Sequence, residues 1–101
     1  MTAEEIQLTA RFCRKHGLSI GGLAILMTIR DAVEPMKLKQ IHPLIGVLSA
    51  AMTSLVQRMV EMKLVYRKTT KNRRAVILAL TEKGRITLSQ FTAFRNQPKQ
   101  P

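Results

Sequence analysis

The 101-residue sequence has no tryptophan, one tyrosine, three phenylalanines, one cysteine and two histidines. Each scarcity excludes something. A single cysteine, Cys13, cannot form an internal disulfide and suits a reducing compartment. His16 and His42 lie far apart in the chain without a ligand-spaced partner, so no metal site is expected. No Ser/His/Asp set, phosphate-cradling glycine loop or pair of inward carboxylates is evident, which argues against an enzyme and against a cofactor. No apolar run approaches the roughly 18 residues of a membrane span. The start, Thr2-Ala3-Glu4-Glu5, lacks the basic and apolar segments of a secretion signal. A cytoplasmic protein is expected. A hydrophobic fraction of 46% excludes a disordered chain. One domain of this size is nevertheless marginal if it must bury everything by itself, so burial against a partner is expected.

Acidic side chains are also scarce, six against 17 basic ones, for a formal charge of +11. Their placement is uneven. Residues 1–34 carry four basic and four acidic groups, whereas residues 35–101 carry thirteen basic groups and only Glu61 and Glu82, so the whole excess lies there. A balanced part joined to a basic part suggests a scaffold with a face for a polyanion. A cationic surface kept for solubility is the bland alternative. A membrane-surface reading is weaker, because the basic residues are spread over several short elements.

The pattern predicts mostly helices, then two short strands and a last helix. Thr2 and Glu5 fit a capping box, so helix 1 should start near residue 3 and stop at His16-Gly17. Ser19 can cap a second helix, in which Leu23, Leu26, Met27 and Arg30 share one side and which Pro35 closes. A third helix is expected around 36–45, either stopping near Ile41 or restarting at Pro43. In the helix from about Ser49 to Lys63, Leu48, Met52, Leu55, Met59 and Met62 form an apolar stripe facing the core. The opposite face carries Ala50, Thr53, Ser54, Gln57 and Glu61, small and polar with almost no long charged side chains. Such a face can approach base edges, where Gln pairs bidentately with adenine and Ser or Thr with either base type; Arg58 on the flank suits a phosphate. A plain amphipathic helix with a poorly charged outside would look the same.

Residues 64–69 and 75–80 read as two strands, the first alternating Val65/Arg67/Thr69 with Tyr66/Lys68, the second carrying Val76, Leu78 and Leu80 on one face. Between them Lys71, Asn72, Arg73 and Arg74 make a basic hairpin tip. Arginine at such a tip suits a narrow, negative minor groove; a turn kept soluble and protected from edge pairing is the plainer reading. Thr81 and Glu82 then start the last helix. Residues 1–96 are expected to form one domain and 97–101 a disordered tail.

The order helix, helix, turn, helix, hairpin, helix, with Leu55-Val56-Gln57-Arg58-Met59, Leu64-Val65-Tyr66-Arg67, Asn72-Arg73-Arg74-Ala75-Val76 and Leu80-Thr81-Glu82-Lys83-Gly84-Arg85, resembles the MarR-type winged helix-turn-helix transcriptional regulators over roughly residues 18–90. The resemblance implies a mainly α fold with a small β-hairpin. It further implies a homodimer on double-stranded DNA, with the helix from Ser49 in the major groove and Arg74 entering the minor groove. Asn72 stands where the family has an aspartate that holds this arginine. Lys63 stands at the family's glycine before Leu64-Val65, and His42 and Pro43 depart from it in the third helix. The chain lacks the length of typical members, so a small-molecule pocket is not carried over and an effector is left open.

These residues imply a dimeric, sequence-specific regulator, a repressor bound at a pseudo-palindromic operator in the nucleoid. Its DNA contacts would come from Ser49, Ala50, Thr53, Ser54, Gln57, Arg58, Arg67, Lys68, Lys71, Asn72, Arg73 and Arg74. Ile6 and Phe12 on the first helix and Leu88, Phe91 and Phe94 on the last are candidates for the dimer interface. A winged-helix adaptor in a DNA-partition or replication complex is the alternative. Some MarR-type regulators sense oxidants through an N-terminal cysteine; beside Arg11, Arg14, Lys15 and His16, Cys13 could have a lowered pKa, although a half-buried structural cysteine is the simpler expectation.

Overall fold

The computed structural model describes residues 2–69 and 76–96. Residues 70–75, with the expected hairpin tip Lys71, Asn72, Arg73 and Arg74, and the expected tail 97–101 lie outside the described residues.

Local signals set the helix ends. Helix α1 (Ala3–His16) begins where the Thr2 hydroxyl accepts the Glu5 N–H at 3.1 Å and ends where Gly17 turns left-handed at φ 69°. Ser19 caps α2 (Ile20–Asp31) by accepting the Gly22 N–H at 3.0 Å. Helix α4 (Ser49–Glu61) follows α3 (Leu38–Ile45) after a left-handed Gly46, and α5 (Glu82–Arg95) is capped by Thr81.

The third segment departs from expectation. Met36–Lys37 is a short strand, β1, and α3 starts only at Leu38 and continues through Pro43 to Ile45, neither stopping at Ile41 nor restarting. The reason is non-local: strand β3 (Val76–Leu80) offers its second edge, and Met36 pairs opposite Leu78 while Lys37 pairs opposite Ile77. The hairpin therefore becomes a three-stranded antiparallel sheet in the order β1-β3-β2, with β2 spanning Val65–Thr69. Lys37 has no side-chain acceptor to cap α3; the Gln40 side chain instead accepts the Lys37 N–H at 2.8 Å.

The core joins all five helices to the sheet through Phe12, Leu23, Ile25, Leu26, Ile41, Met52, Val56, Met59, Leu64, Val65, Leu78, Leu80, Leu88 and Phe91. On α4 the buried residues are Met52, Val56 and Met59, with Leu55 and Met62 half-buried. Leu48, expected on this stripe, is 79% exposed, because it is the N-cap and so lies outside the helical period. In β2 only Val65 is buried; the expected alternation is not expressed, since this edge strand soon leaves the core. Leu78 and Leu80 are buried as expected, while Val76, opposite Thr69, is 37% exposed.

Where α2 crosses α4, a β-carbon on Gly22 would stand 2.9 Å from the Met59 sulfur. Gly22, in the first turn of α2, thus leaves room for the Met59 side chain of α4. Among the described residues no single helix is long and apolar enough to cross a membrane, and no group of three His, Cys, Asp or Glu could hold a metal ion.

Candidate nucleic-acid interface

With Met52, Val56 and Met59 buried, the helical period turns Ala50, Thr53, Ser54, Gln57 and Glu61 outward, and all five are exposed, as is Ser49. No side chain caps the first N–H groups of α4, and its N-terminal turn is lined only by Ser49, Ala50 and Ala51. The helix thus presents a low, polar ridge that a partner backbone can approach closely.

Three of the expected contact residues, Gln57, Arg58 and Arg67, already have protein partners. Arg58, on the flank, donates from Nη2 to the Gly17 carbonyl at 3.3 Å, tying α4 to the C-terminus of α1. Its fork carries further donors. Gln57 accepts from Arg67 Nη2 at 3.0 Å through Oε1 and donates from Nε2 to Glu61 Oε1 at 3.1 Å. The Gln57–Glu61 pair has the i,i+4 spacing of a helix face, whereas the link to Arg67 is not visible as a sequence motif, because Arg67 arrives from β2. Arg67 and Lys68 are both exposed on that strand.

The junction after α4 holds the strand start in place. Lys63 has φ 61°, the left-handed bend that its glycine-like position demanded. The Thr81 hydroxyl donates to the Lys63 carbonyl at 2.6 Å, Lys83 Nζ donates to the Met62 carbonyl at 3.0 Å, and the Thr81 N–H donates to the Leu64 carbonyl at 3.1 Å. The first turn of α5 therefore clamps the end of α4 to the start of β2.

The terminal helices answer the interface expectation only in part. Phe12, Leu88 and Phe91 are buried inside the protomer, at 2%, 3% and 5% exposure, so they leave little surface for a partner. Phe12 meets Phe91 edge-on with centroids 5.0 Å apart, and Phe94 at 5.8 Å. Ile6 is 48% exposed and Phe94 half-buried. Sequence pattern alone could not separate these roles: one apolar stripe on a short helix serves either a core or a partner. A shallow apolar groove of about 190 Å³ between α1, α2 and α5 is lined by Leu23, Met27 and Phe91 and by the exposed Ile20.

Cys13 is 3% exposed, and burial raises its pKa despite the basic residues beside it in sequence. Burial works against the lowered pKa on which a redox role would rest. A cavity of about 560 Å³ was not foreseen. It lies between the end of α2, the outer face of the sheet and α5, with Tyr66, Lys68 and Arg85 in its wall and Arg30 held by Asp31 at 2.8 Å. The bond from Arg30 holds the Asp31 carboxyl below its usual range.

Comparison with solved structures identifies the fold. The YusO protein from Bacillus subtilis superposes with a TM-score of 0.79 at 22% identity, covering 91% of this chain and 65% of that one. A transcriptional regulator of the MarR family from Rhodococcus sp. RHA1 gives 0.76 at 22% identity, with 92% and 66% covered. Overoxidized AbfR bound to DNA gives 0.75 at 19% identity, with 88% and 65% covered. The chain spans a little under two thirds of the length of these structures. No curated protein matches it by sequence. The winged helix DNA-binding domain family matches residues 22–84, from the first turn of α2 through the sheet to the clamp at Gly84, and the chain belongs to that family.

Proposed function

We propose that the protein is a MarR-type transcriptional regulator, a homodimeric repressor that occupies a pseudo-palindromic operator in the bacterial nucleoid. The observation that carries this reading is the outer face of α4. Ala50, Thr53, Ser54 and Gln57 stand exposed on a face whose one long charged side chain is Glu61, beside exposed Arg58, Arg67 and Lys68. A face built for solubility would carry lysine and glutamate; one that enters a major groove needs short polar groups flanked by cations. The uncapped N-terminus of α4 suits a phosphate.

Ser49, Ala50, Thr53, Ser54 and Gln57 meet the major groove, Arg73 and Arg74 reach the minor groove, and Arg58, Lys68 and Lys71 take phosphates, with Arg67 and Asn72 among the DNA contacts. The exposed Ile6 of α1 and the exposed Ile20 in the wall of the terminal-helix groove supply apolar surface for a second copy, and half-sites about one helical turn apart suit such a dimer. That overoxidized AbfR, a protein of the same fold, is bound to DNA supports the choice of partner.

Selection of binding sites from random duplex DNA tests the reading. Recovery of an inverted repeat bound by two chains supports it. A preference-free coating of DNA, or retention of a protein partner by a variant that has lost DNA, counts against it and favours a coating or adaptor role.

A further inference from the structure

The amide of Gln57 is occupied on both sides. Arginine can only donate and a carboxylate only accept, so the chain of bonds has one polarity: Arg67 Nη2 to Gln57 Oε1 at 3.0 Å, and Gln57 Nε2 to Glu61 Oε1 at 3.1 Å. An amide that reads adenine must offer both its donor and its acceptor to the base. Here one lone pair and one N–H are already engaged, so an adenine would have to share the amide with Arg67 and Glu61.

What the arrangement does present is a guanidinium. Gln57 lies on the same exposed face of α4 as Ala50, Thr53 and Ser54, so a guanidinium bonded to it at 3.0 Å is carried to that face although Arg67 belongs to β2. Nη2 is shared by both two-pronged edges of an arginine and spends one N–H on Gln57, which leaves one complete edge. Such an edge matches the O6 and N7 acceptors of guanine. Fixing the head group from the side also lowers the ordering entropy of a long side chain on binding.

We infer that Arg67 reads a guanine in the major groove of each half-site and that Gln57, oriented by Glu61, is the positioning residue that holds it there. This rests on the proposal that α4 enters the major groove, and it reassigns Gln57 from reading bases to supporting the residue that does.

The test is binding-site selection with the full chain, followed by competition between duplexes altered one position at a time. Wild type prefers guanine at one symmetric position by about tenfold to a hundredfold. Arg67→Ala loses that preference while other positions keep theirs. Replacing this guanine by 7-deazaguanine, which lacks the N7 acceptor, weakens wild type but not Arg67→Ala. Gln57→Ala reduces discrimination at the same position and adds nothing in the Arg67→Ala background. Gln57→Glu, which still accepts from Arg67 but can no longer donate to Glu61, discriminates better than Gln57→Ala and less well than wild type.

The inference is overturned if Arg67→Ala weakens all sequences alike and lowers the salt slope by about 0.9, the signature of a phosphate contact. It is also overturned if Gln57→Ala loses an adenine preference that Arg67→Ala keeps. Both outcomes leave the regulator reading intact, whereas a wild-type chain that selects no sequence overturns the two together.

Discussion

Gly84, in the first turn of α5, sits against the main-chain carbonyl of Leu64, and a β-carbon on it would overlap that oxygen. The same carbonyl accepts the Thr81 N–H at 3.1 Å. Backbone cannot yield here without breaking the clamp between α4, β2 and α5. Gly84→Ala is therefore expected to destabilise the fold by about 2 kcal/mol or more, read as a lower urea midpoint.

Lys63 makes the opposite prediction. Its φ of 61° costs a residue with a β-carbon about 1–2 kcal/mol, while glycine adds some unfolded-state entropy. Lys63→Gly should gain about 0.5–1 kcal/mol in denaturant unfolding. An unchanged or lower midpoint would show that its exposed side chain contributes more than the strain costs.

Ser54 is exposed on the outer face of α4 and makes no hydrogen bond that the fold needs. Ser54→Glu should leave the thermal midpoint nearly unchanged, yet reduce operator affinity at least about tenfold, because a carboxylate would face the phosphates. Equal DNA affinity would remove α4 from the groove.

Arg74 lies outside the described residues, and its minor-groove role is a proposal from the sequence pattern. Arg74→Ala should weaken binding and shorten the protected footprint at its flanks. Unchanged affinity and footprint at moderate salt would reject the wing assignment.

Cys13 provides a pH test. Burial raises its pKa, so the neutral thiol is the form that folding favours. The associated stability is fully present below the ordinary thiol pKa and is lost as pH rises past it. Wild type should thus lose more stability than Cys13→Ala between about pH 8 and about pH 10. The folded thiol should also react slowly with disulfide reagents at neutral pH. Rapid labelling of the native chain would contradict its burial.

Much of the fold could be read directly from residues. Thr2, Ser19 and Thr81 cap the helices they were expected to cap, Gly17 ends α1, and the whole excess of positive charge lies after residue 34. These features depend on groups within a turn or two of one another, or on composition, so sequence order determines them.

The tertiary structure decided what depends on distant neighbours. Met36–Lys37 left the helical pattern because β3 had an open edge to pair with. Phe12, Leu88 and Phe91 went to the protomer's own core because α1 and α5 meet there. Gln57 met Arg67 because a strand ten residues on returns past α4. The outward face of α4 was legible from its period alone, but which of its side chains were already engaged was not, since a helical wheel contains no information about the strand beside it.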